Sequence, residues 1–95
     1  MEEISWSEWL DFNVEQASKV PESPGIYMMH ASMKILYIGD TNNLKQSIID
    51  SIKTACVCDA KRFRYFVTDA HDELKEKLLK EYQEKHDGNL PKCIG

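Results

Sequence analysis

The chain has 95 residues, 42% of them hydrophobic, and a formal net charge of −4 at neutral pH. This is the size of a single domain with one modest core. No apolar run reaches the ~20 residues of a membrane-spanning helix, and the acidic start is unlike a signal peptide. The three cysteines are odd in number and lack the spacing of a disulfide framework, so reduced thiols are expected. These features favour a cytoplasmic protein without a membrane partner.

Charge is distributed unevenly along the chain. Residues 1–33 contain six acidic and one basic residue, residues 34–64 contain three acidic and six basic, and residues 65–95 contain seven acidic and five basic. The net charge argues mildly against a nucleic-acid partner, but the basic surplus in the middle third would suit a phosphate-binding cleft. Scattered, solvated charges on a small acidic protein explain the same pattern equally well.

The N-terminal segment has the pattern of a capped helix. Ser5–Glu8 fits a capping box. Large apolar side chains recur in and after this box at Trp6, Trp9, Leu10 and Phe12. The sequence therefore predicts a helix over residues 5–17 whose aromatic face covers the sheet. Two prolines in residues 19–24 then forbid regular structure and mark a connector.

Two short runs rich in β-forming residues, Gly25–Met29 and Lys34–Ile38, follow closely on one another. A parallel connection needs a dozen or more residues, so these runs are predicted to form an antiparallel hairpin. If Tyr27 and Tyr37 share a face, they must pair directly or with an offset of two. Direct pairing would imply a three-residue loop over residues 31–33.

The remainder of the chain predicts two further helices and a third strand. A cluster of N-cap residues, Asp40–Asn43, precedes a helical apolar stripe that starts at Leu44. Residues 62–67 alternate as a strand, and a long charged helix is predicted over residues 69–86. The predicted class is α+β, a small three-stranded antiparallel sheet flanked by helices, in one domain over residues 1–95.

Two tripeptides stand out in the hairpin, Gly25-Ile26-Tyr27 in the first strand and Tyr37-Ile38-Gly39 in the second. Together they resemble the signature of the GIY-YIG nucleases. The similarity continues at Thr41, at Asn43-Leu44-Lys45, at Glu76 and at Tyr82-Gln83. It covers the chain from about residue 21 onward, and it implies a single GIY-YIG-like domain with its core over residues 25–93.

The resemblance implies hydrolysis of phosphodiester bonds in DNA or RNA with one divalent metal, Mg²⁺ or Mn²⁺. In the family, the two signature tyrosines act at the water and the phosphate, and a glutamate of the last helix holds the metal. The positions that match these catalytic residues are Tyr27, Tyr37 and Glu76. Candidate substrate-binding residues are Gly39, Lys45, Ser47, Arg62, Arg64 and Asn89. The resemblance also predicts that the tyrosines, Ser47 and Glu76 border one groove.

Two positions depart from the family pattern. Ser47 stands where the family places an arginine, and Asp40 stands where relatives often have a lysine. Both changes make the proposed cleft less cationic, and loss of one transition-state donor typically costs about 10²–10³ in rate. Two hypotheses follow: a nuclease or nuclease-derived nucleic-acid-binding domain, and a catalytically inactive GIY-YIG-fold scaffold that binds a protein partner, for which the N-terminal aromatic segment is the candidate surface.

Overall fold

A computed structural model describes residues 6–31, 34–54, 57–88 and 91. The strands are β1 (Leu10–Asp11), β2 (Gly25–Ala31), β3 (Lys34–Thr41) and β4 (Arg62–Val67), and the helices are α1 (Val14–Ala17), α2 (Leu44–Ile52) and α3 (His71–Lys85). A single 3-10 turn, Val57–Asp59, links α2 to β4. The predicted hairpin, third strand and long last helix are all present, and the α+β class is confirmed. Within these ranges, no helix is long and apolar enough to cross a membrane.

Strands β2 and β3 form the predicted antiparallel hairpin, and its register contains a shift. Ala31 pairs with Lys34 next to the turn, whereas Met29 pairs with Tyr37. Leu36 is therefore an extra residue on β3, which is a β-bulge. Because Ala31 pairs with Lys34, the hairpin does not contain the three-residue loop that direct pairing of the tyrosines would need.

The bulge decides which face of the sheet Tyr37 occupies. Without the shift, the register at the turn would pair Tyr37 with Met28, on the face opposite to Tyr27. With the shift, Tyr27 pairs with Gly39, so the two tyrosines lie on one face with an offset of two residues. The prediction that they share a face is confirmed.

The N-terminal prediction of a helix over residues 5–17 is wrong. Residues 1–5 lie outside the described ranges, and beyond them β1 pairs with β4, which gives the sheet four strands in the order β1-β4-β2-β3 rather than three. Ser7 exchanges two hydrogen bonds with the backbone of Tyr65 at 3.0 and 3.1 Å. An unpaired edge of β4 thus competes with helix formation for the polar groups of this segment. The helix is reduced to α1, which the Asn13 side chain caps.

The two faces of the sheet carry different helices. A buried cluster that includes Tyr27, Met29 and Phe63 packs against Leu44 and Ile48 of α2. Ile52 packs at its border, so the prediction that α2 lays this stripe on the sheet is confirmed. Helix α3 packs against β3 and β2 on the other face, where Ile26, Met28 and Ile38 are buried and Leu74 faces them from the helix.

Gly25 lies at the start of β2, where this strand pairs with β3 on one side and with β4 on the other. It pairs with Thr41 of β3 and with Val67 of β4. A Cβ atom on Gly25 would lie 2.3 Å from the carbonyl oxygen of Phe66 and 2.8 Å from a methyl group of Leu44. The first tripeptide therefore needs glycine because backbone and helix approach too closely for any side chain.

Candidate functional site

The two signature tyrosines line an open cavity of about 300 Å³ between the hairpin and α2, which we call the tyrosine cavity. The other lining residues come from α2 and the segment after it: Ser47, Asp50, Ser51, Thr54 and Val57. Positions 47, 50, 51 and 54 recur at helical spacing, so one face of α2 points at the tyrosine rings. The structure thus brings three of the predicted site residues together: Tyr27, Tyr37 and Ser47.

Gly39 allows the two phenol rings to meet. The ring centroids of Tyr27 and Tyr37 are 5.8 Å apart. A Cβ atom at Gly39 would lie 2.6 Å from Cζ of Tyr27, 2.7 Å from its hydroxyl oxygen, and 2.6 Å from Cε2 of Tyr37. Such separations are far below van der Waals contact. The glycine of the second tripeptide therefore has a steric role: it leaves room for both phenols beside the strand.

The hydroxyl of Tyr27 is held in its protonated form. The residue is only 6% exposed, and burial, followed by the nearby Tyr37, raises the pKa of Tyr27 well above its usual range. A hydrogen bond with Ser51 opposes this shift, and the charge of Asp40 makes the smallest contribution to the pKa, in the upward direction. A buried phenolate has few groups to stabilise it. At neutral pH, Tyr27 is thus a hydrogen-bond donor rather than a base.

Ser47 contributes a hydroxyl group and no charge to the tyrosine cavity. Its hydroxyl forms a 2.5 Å hydrogen bond with Oγ1 of Thr41, which also accepts a hydrogen bond from the Asn43 backbone. Asp50, the one carboxylate among the described lining residues, accepts a hydrogen bond from Gln46 at 2.9 Å. No described residue that lines this cavity is cationic. The cavity therefore presents hydroxyl groups and one negative charge.

Glu76 lines a second cavity of about 400 Å³, which we call the acidic cavity. Its other lining residues are Asp40, Asp72, Glu73, Lys75 and Leu79. The structure thus separates Glu76 from the tyrosine cavity, contrary to the prediction of one groove. The cause is that α3 packs on the sheet face opposite to the tyrosines, while Asp40, near the end of β3, contributes to both environments. The role of Glu76 as a metal ligand stays a prediction.

Asp40 is held as a carboxylate by polar contacts with two side chains of α3. His71 Nδ1 lies 2.9 Å from one oxygen of Asp40, and Lys75 Nζ lies 3.3 Å from the other. Burial alone would raise the pKa of Asp40, but hydrogen bonding with Asp72, His71 and Lys75 lowers it to about 2. The carboxylate of Asp40 is therefore already engaged by Lys75 and His71.

Sequence reasoning missed His71. Its second ring nitrogen, Nε2, lies 3.2 Å from Oδ1 of Asn42, so the imidazole connects the loop before α2 with the start of α3. Together, Asp40, His71 and Asp72 offer ligand atoms within 4.8 Å of one another. About thirty residues separate the two parts of this cluster in sequence, and no local pattern marks it. Only the spatial approach of β3 and α3 would have revealed it.

The predicted basic residues lie away from the tyrosine cavity. Strand alternation puts Arg62 and Arg64 on the sheet face opposite to Tyr27. Arg64 packs against Trp6 and Trp9, at 4.7 and 4.5 Å from the ring centroids. Arg62 forms an exposed ion pair with Asp11 at 3.6 Å. The prediction that these two arginines flank the tyrosine site is therefore wrong.

The remaining predicted features are Lys45, Asn89 and the aromatic N-terminal segment. Lys45 lies in the first turn of α2, where it is half-buried but does not line the tyrosine cavity. Asn89 lies outside the described residues. Both tryptophans of the N-terminal segment are half-buried, and Trp9 stacks on His30 with the ring centroids 4.4 Å apart. The segment therefore does not present an open aromatic patch.

Comparisons with known proteins identify the fold. The GIY-YIG N-terminal endonuclease domain of UvrC from Thermotoga maritima, bound to magnesium, has a TM-score of 0.62 and 17% identity over 85% of this chain and 93% of that one. Two point mutants of that domain, bound to the catalytic divalent cation, have TM-scores of 0.61 and 0.62 and identities of 17% and 16%, over 85% of this chain and 92% and 93% of theirs. At this identity the likeness shows the fold alone.

Comparison at the level of sequence gives a family without a known activity. No curated protein matches the chain. One family profile, described as a domain of unknown function, matches residues 5–85. The chain therefore belongs to the family DUF7508, and this member has the fold of a GIY-YIG endonuclease domain.

Proposed function

We propose that the chain is a nuclease-derived nucleic-acid-binding domain in which phosphodiester hydrolysis is slow or absent. One observation carries this proposal: the signature tyrosines meet over Gly39 in an open cavity, but the polar groups around them are hydroxyls and one carboxylate. The preserved signature and fold favour a DNA or RNA ligand. The lack of a cation among the described lining residues argues for weak catalysis.

The expected reaction explains why the missing cation matters. Negative charge develops on the phosphate oxygens during hydrolysis, and preorganised positive charge and hydrogen-bond donors usually give the largest rate contribution. Ser47 is bonded to Thr41 and carries no charge. Tyr27 keeps its proton because burial raises its pKa, so it can donate to a phosphate oxygen but cannot take a proton from water. These residues support binding better than catalysis.

A divalent metal is implied by the fold, since the similar domain is described as bound to its catalytic cation. The acidic cavity fits such an ion in its ligand chemistry, because Asp40, Asp72 and Glu76 offer the oxygen ligands that Mg²⁺ and Mn²⁺ prefer. When bound, the ion would neutralise charge on a phosphate. The two oxygens of Asp40 already contact His71 and Lys75, so a cation must compete with the imidazole of His71 and the ammonium group of Lys75. We therefore expect weak metal affinity.

The test is cleavage of single-stranded DNA, double-stranded DNA and RNA with Mg²⁺ or Mn²⁺. We expect slow or undetectable cleavage by the wild type and faster cleavage by Ser47→Arg, because the new guanidinium can bind phosphate oxygens in a bidentate manner. Glu76→Ala should abolish any metal-dependent rate. Glu84→Ala is the matched control, since this exposed glutamate of α3 lines none of the cavities described. Rapid wild-type cleavage that survives Glu76→Ala would refute the assignment.

Binding is a separate measurement. If lysines such as Lys34 and Lys45 contact phosphates, the logarithm of the affinity for nucleic acid should fall linearly with the logarithm of salt concentration. Replacing either lysine by glutamine should reduce the magnitude of that slope by about one, which corresponds to the loss of one phosphate contact. Binding that does not depend on salt would contradict the proposal.

A catalytically inactive scaffold for a protein partner is the second candidate. The observation that favours it is the acidic cavity, where four carboxylates outnumber the one lysine among the described lining residues. Such a surface repels a phosphate backbone. Absence of binding to DNA and RNA at every salt concentration, with and without metal, would favour the scaffold over the nucleic-acid domain.

A further inference from the structure

A third cavity lies on the sheet face opposite to the tyrosine cavity. It has a volume of about 210 Å³ and lies between the central strands and the C-terminal half of α3. Its floor is apolar and consists of Met28, Ile35, Ile38 and Leu78. Its wall is polar and consists of Arg64, Glu81, Tyr82, Lys85 and His86. We call it the Arg64 cavity.

Arg64 is a half-buried cation with unusual neighbours. Its guanidinium carbon lies within 5 Å of the ring centroids of both Trp6 and Trp9. Its Nη2 donates a weak hydrogen bond to the sulfur of Met28 at 3.7 Å. Its Nε is buried and has no hydrogen-bond partner among the described residues, and burial lowers the pKa of the guanidinium. Arg64 is thus held by ring faces and a thioether rather than by an anion.

The charge around Arg64 is not balanced within the described part of the chain. No described carboxylate lies within 4.0 Å of Arg64, and neither Glu81 nor Lys85 forms an ion pair there. Partly buried cations are normally paired with a hydrogen-bonded anion. With Arg64 and Lys85 against Glu81, the described wall residues carry more positive than negative charge, in a protein whose net charge is negative.

We propose that the Arg64 cavity binds a small aliphatic monocarboxylate. The carboxylate accepts hydrogen bonds from Arg64 and Lys85, and the aliphatic chain covers Ile35 and Leu78, the two floor residues that are only half-buried. A guanidinium fork matches the two oxygens of a carboxylate, and the apolar floor adds the free energy of burying an aliphatic chain. An inorganic anion would satisfy the wall but leave Ile35 and Leu78 partly in contact with water.

The test uses hexanoate as the probe and methionine methyl groups as reporters. Met28 and Met29 are neighbours on β2 that face opposite sides of the sheet, so Met29 is an internal control. In an NMR titration, the Met28 methyl signal should shift with saturation while the Met29 signal does not. Acetate, inorganic phosphate and 1-hexanol should each bind at least about tenfold more weakly, because each lacks either the chain or the charge.

Matched variants assign the binding to Arg64. Arg64→Met should weaken hexanoate binding by at least about tenfold, whereas Arg62→Met, an exposed position on the same strand and face, should leave the affinity unchanged. Because Arg64→Met also removes the packing partner of two tryptophans, Lys85→Met provides a second variant with a smaller loss. Equal affinity for hexanoate and 1-hexanol, unchanged affinity in Arg64→Met, or no Met28 shift at saturating probe would each overturn the proposal.

Discussion

Replacing Gly39 by alanine tests the geometry of the tyrosine cavity most directly. The added methyl group would lie 2.6–2.7 Å from two ring carbons, one on Tyr27 and one on Tyr37, and from the hydroxyl oxygen of Tyr27. Ordinary carbon–carbon contacts are about 3.5–4.0 Å, so the rings must move by roughly 1 Å, and Tyr27 is only 6% exposed. Overpacking of this kind typically costs about 1–3 kcal/mol. We expect Gly39→Ala to lower the free energy of unfolding by that amount.

A double-mutant cycle separates ring displacement from a general effect on the strand. Tyr27→Leu removes two of the three close contacts, since leucine lacks the atoms that correspond to Cζ and the hydroxyl. The cost of Gly39→Ala, measured by urea unfolding, should therefore fall by about 1 kcal/mol in the Tyr27→Leu background. Costs that add within about 0.3–0.5 kcal/mol would refute the proposed role of Gly39. Gly25→Ala is the comparison, because its contact at 2.3 Å is with backbone and should not be relieved by Tyr27→Leu.

Three further predictions concern other contacts. Asp40→Asn should destabilise the protein near neutral pH; because the pKa of Asp40 is lowered to about 2 in the folded state, the difference from wild type in urea unfolding should be full above about pH 4 and vanish as the pH falls through 2. An unchanged difference at pH 2 would contradict this. Trp9→Leu should lower the free energy of unfolding by about 0.5–1 kcal/mol more in the wild-type background than in the Arg64→Met background, because only the wild type has the cation–π contact to lose. Ser47→Arg should tighten binding of a short oligonucleotide at low salt, and no change would show that position 47 does not face the phosphate.

The central part of the fold could be predicted from sequence because its signals are local. The two strands, the cap residues before α2 and the apolar stripes of α2 and α3 all depend on neighbours within a few positions. The helix predicted for the N-terminal segment is absent for the opposite reason, because the decisive contacts are distant in sequence. The sequence of this segment fits a capping box, but the edge of β4, more than fifty residues away, provides backbone hydrogen-bond partners that no local pattern could reveal.

The candidate site was predicted only in part. Tyr27, Tyr37 and Ser47 line one cavity, as the resemblance predicts, but the face of Tyr37 depends on the bulge at Leu36, which strand periodicity does not reveal. The positions of Glu76, Arg62 and Arg64 depended on which sheet face each element covers, and sequence spacing within an element does not contain that information. His71 was missed because its partners, Asp40 and Asn42, come from a different part of the chain.

The extra residue at Leu36 has a consequence for how relatives of this chain are recognised. The site requires both tyrosines to face the same side of the sheet. After the short turn, the extra residue at Leu36 shifts the pairing by one position and so brings Tyr37 to the face of Tyr27. A hairpin that is one residue longer or shorter between the two tyrosines can therefore keep both on one face, provided that the added or missing residue belongs to a bulge or that a bulge corrects the register. Searches that demand a fixed number of positions between Tyr27 and Tyr37 would reject such chains, whereas a search that tolerates one-residue steps would retain them.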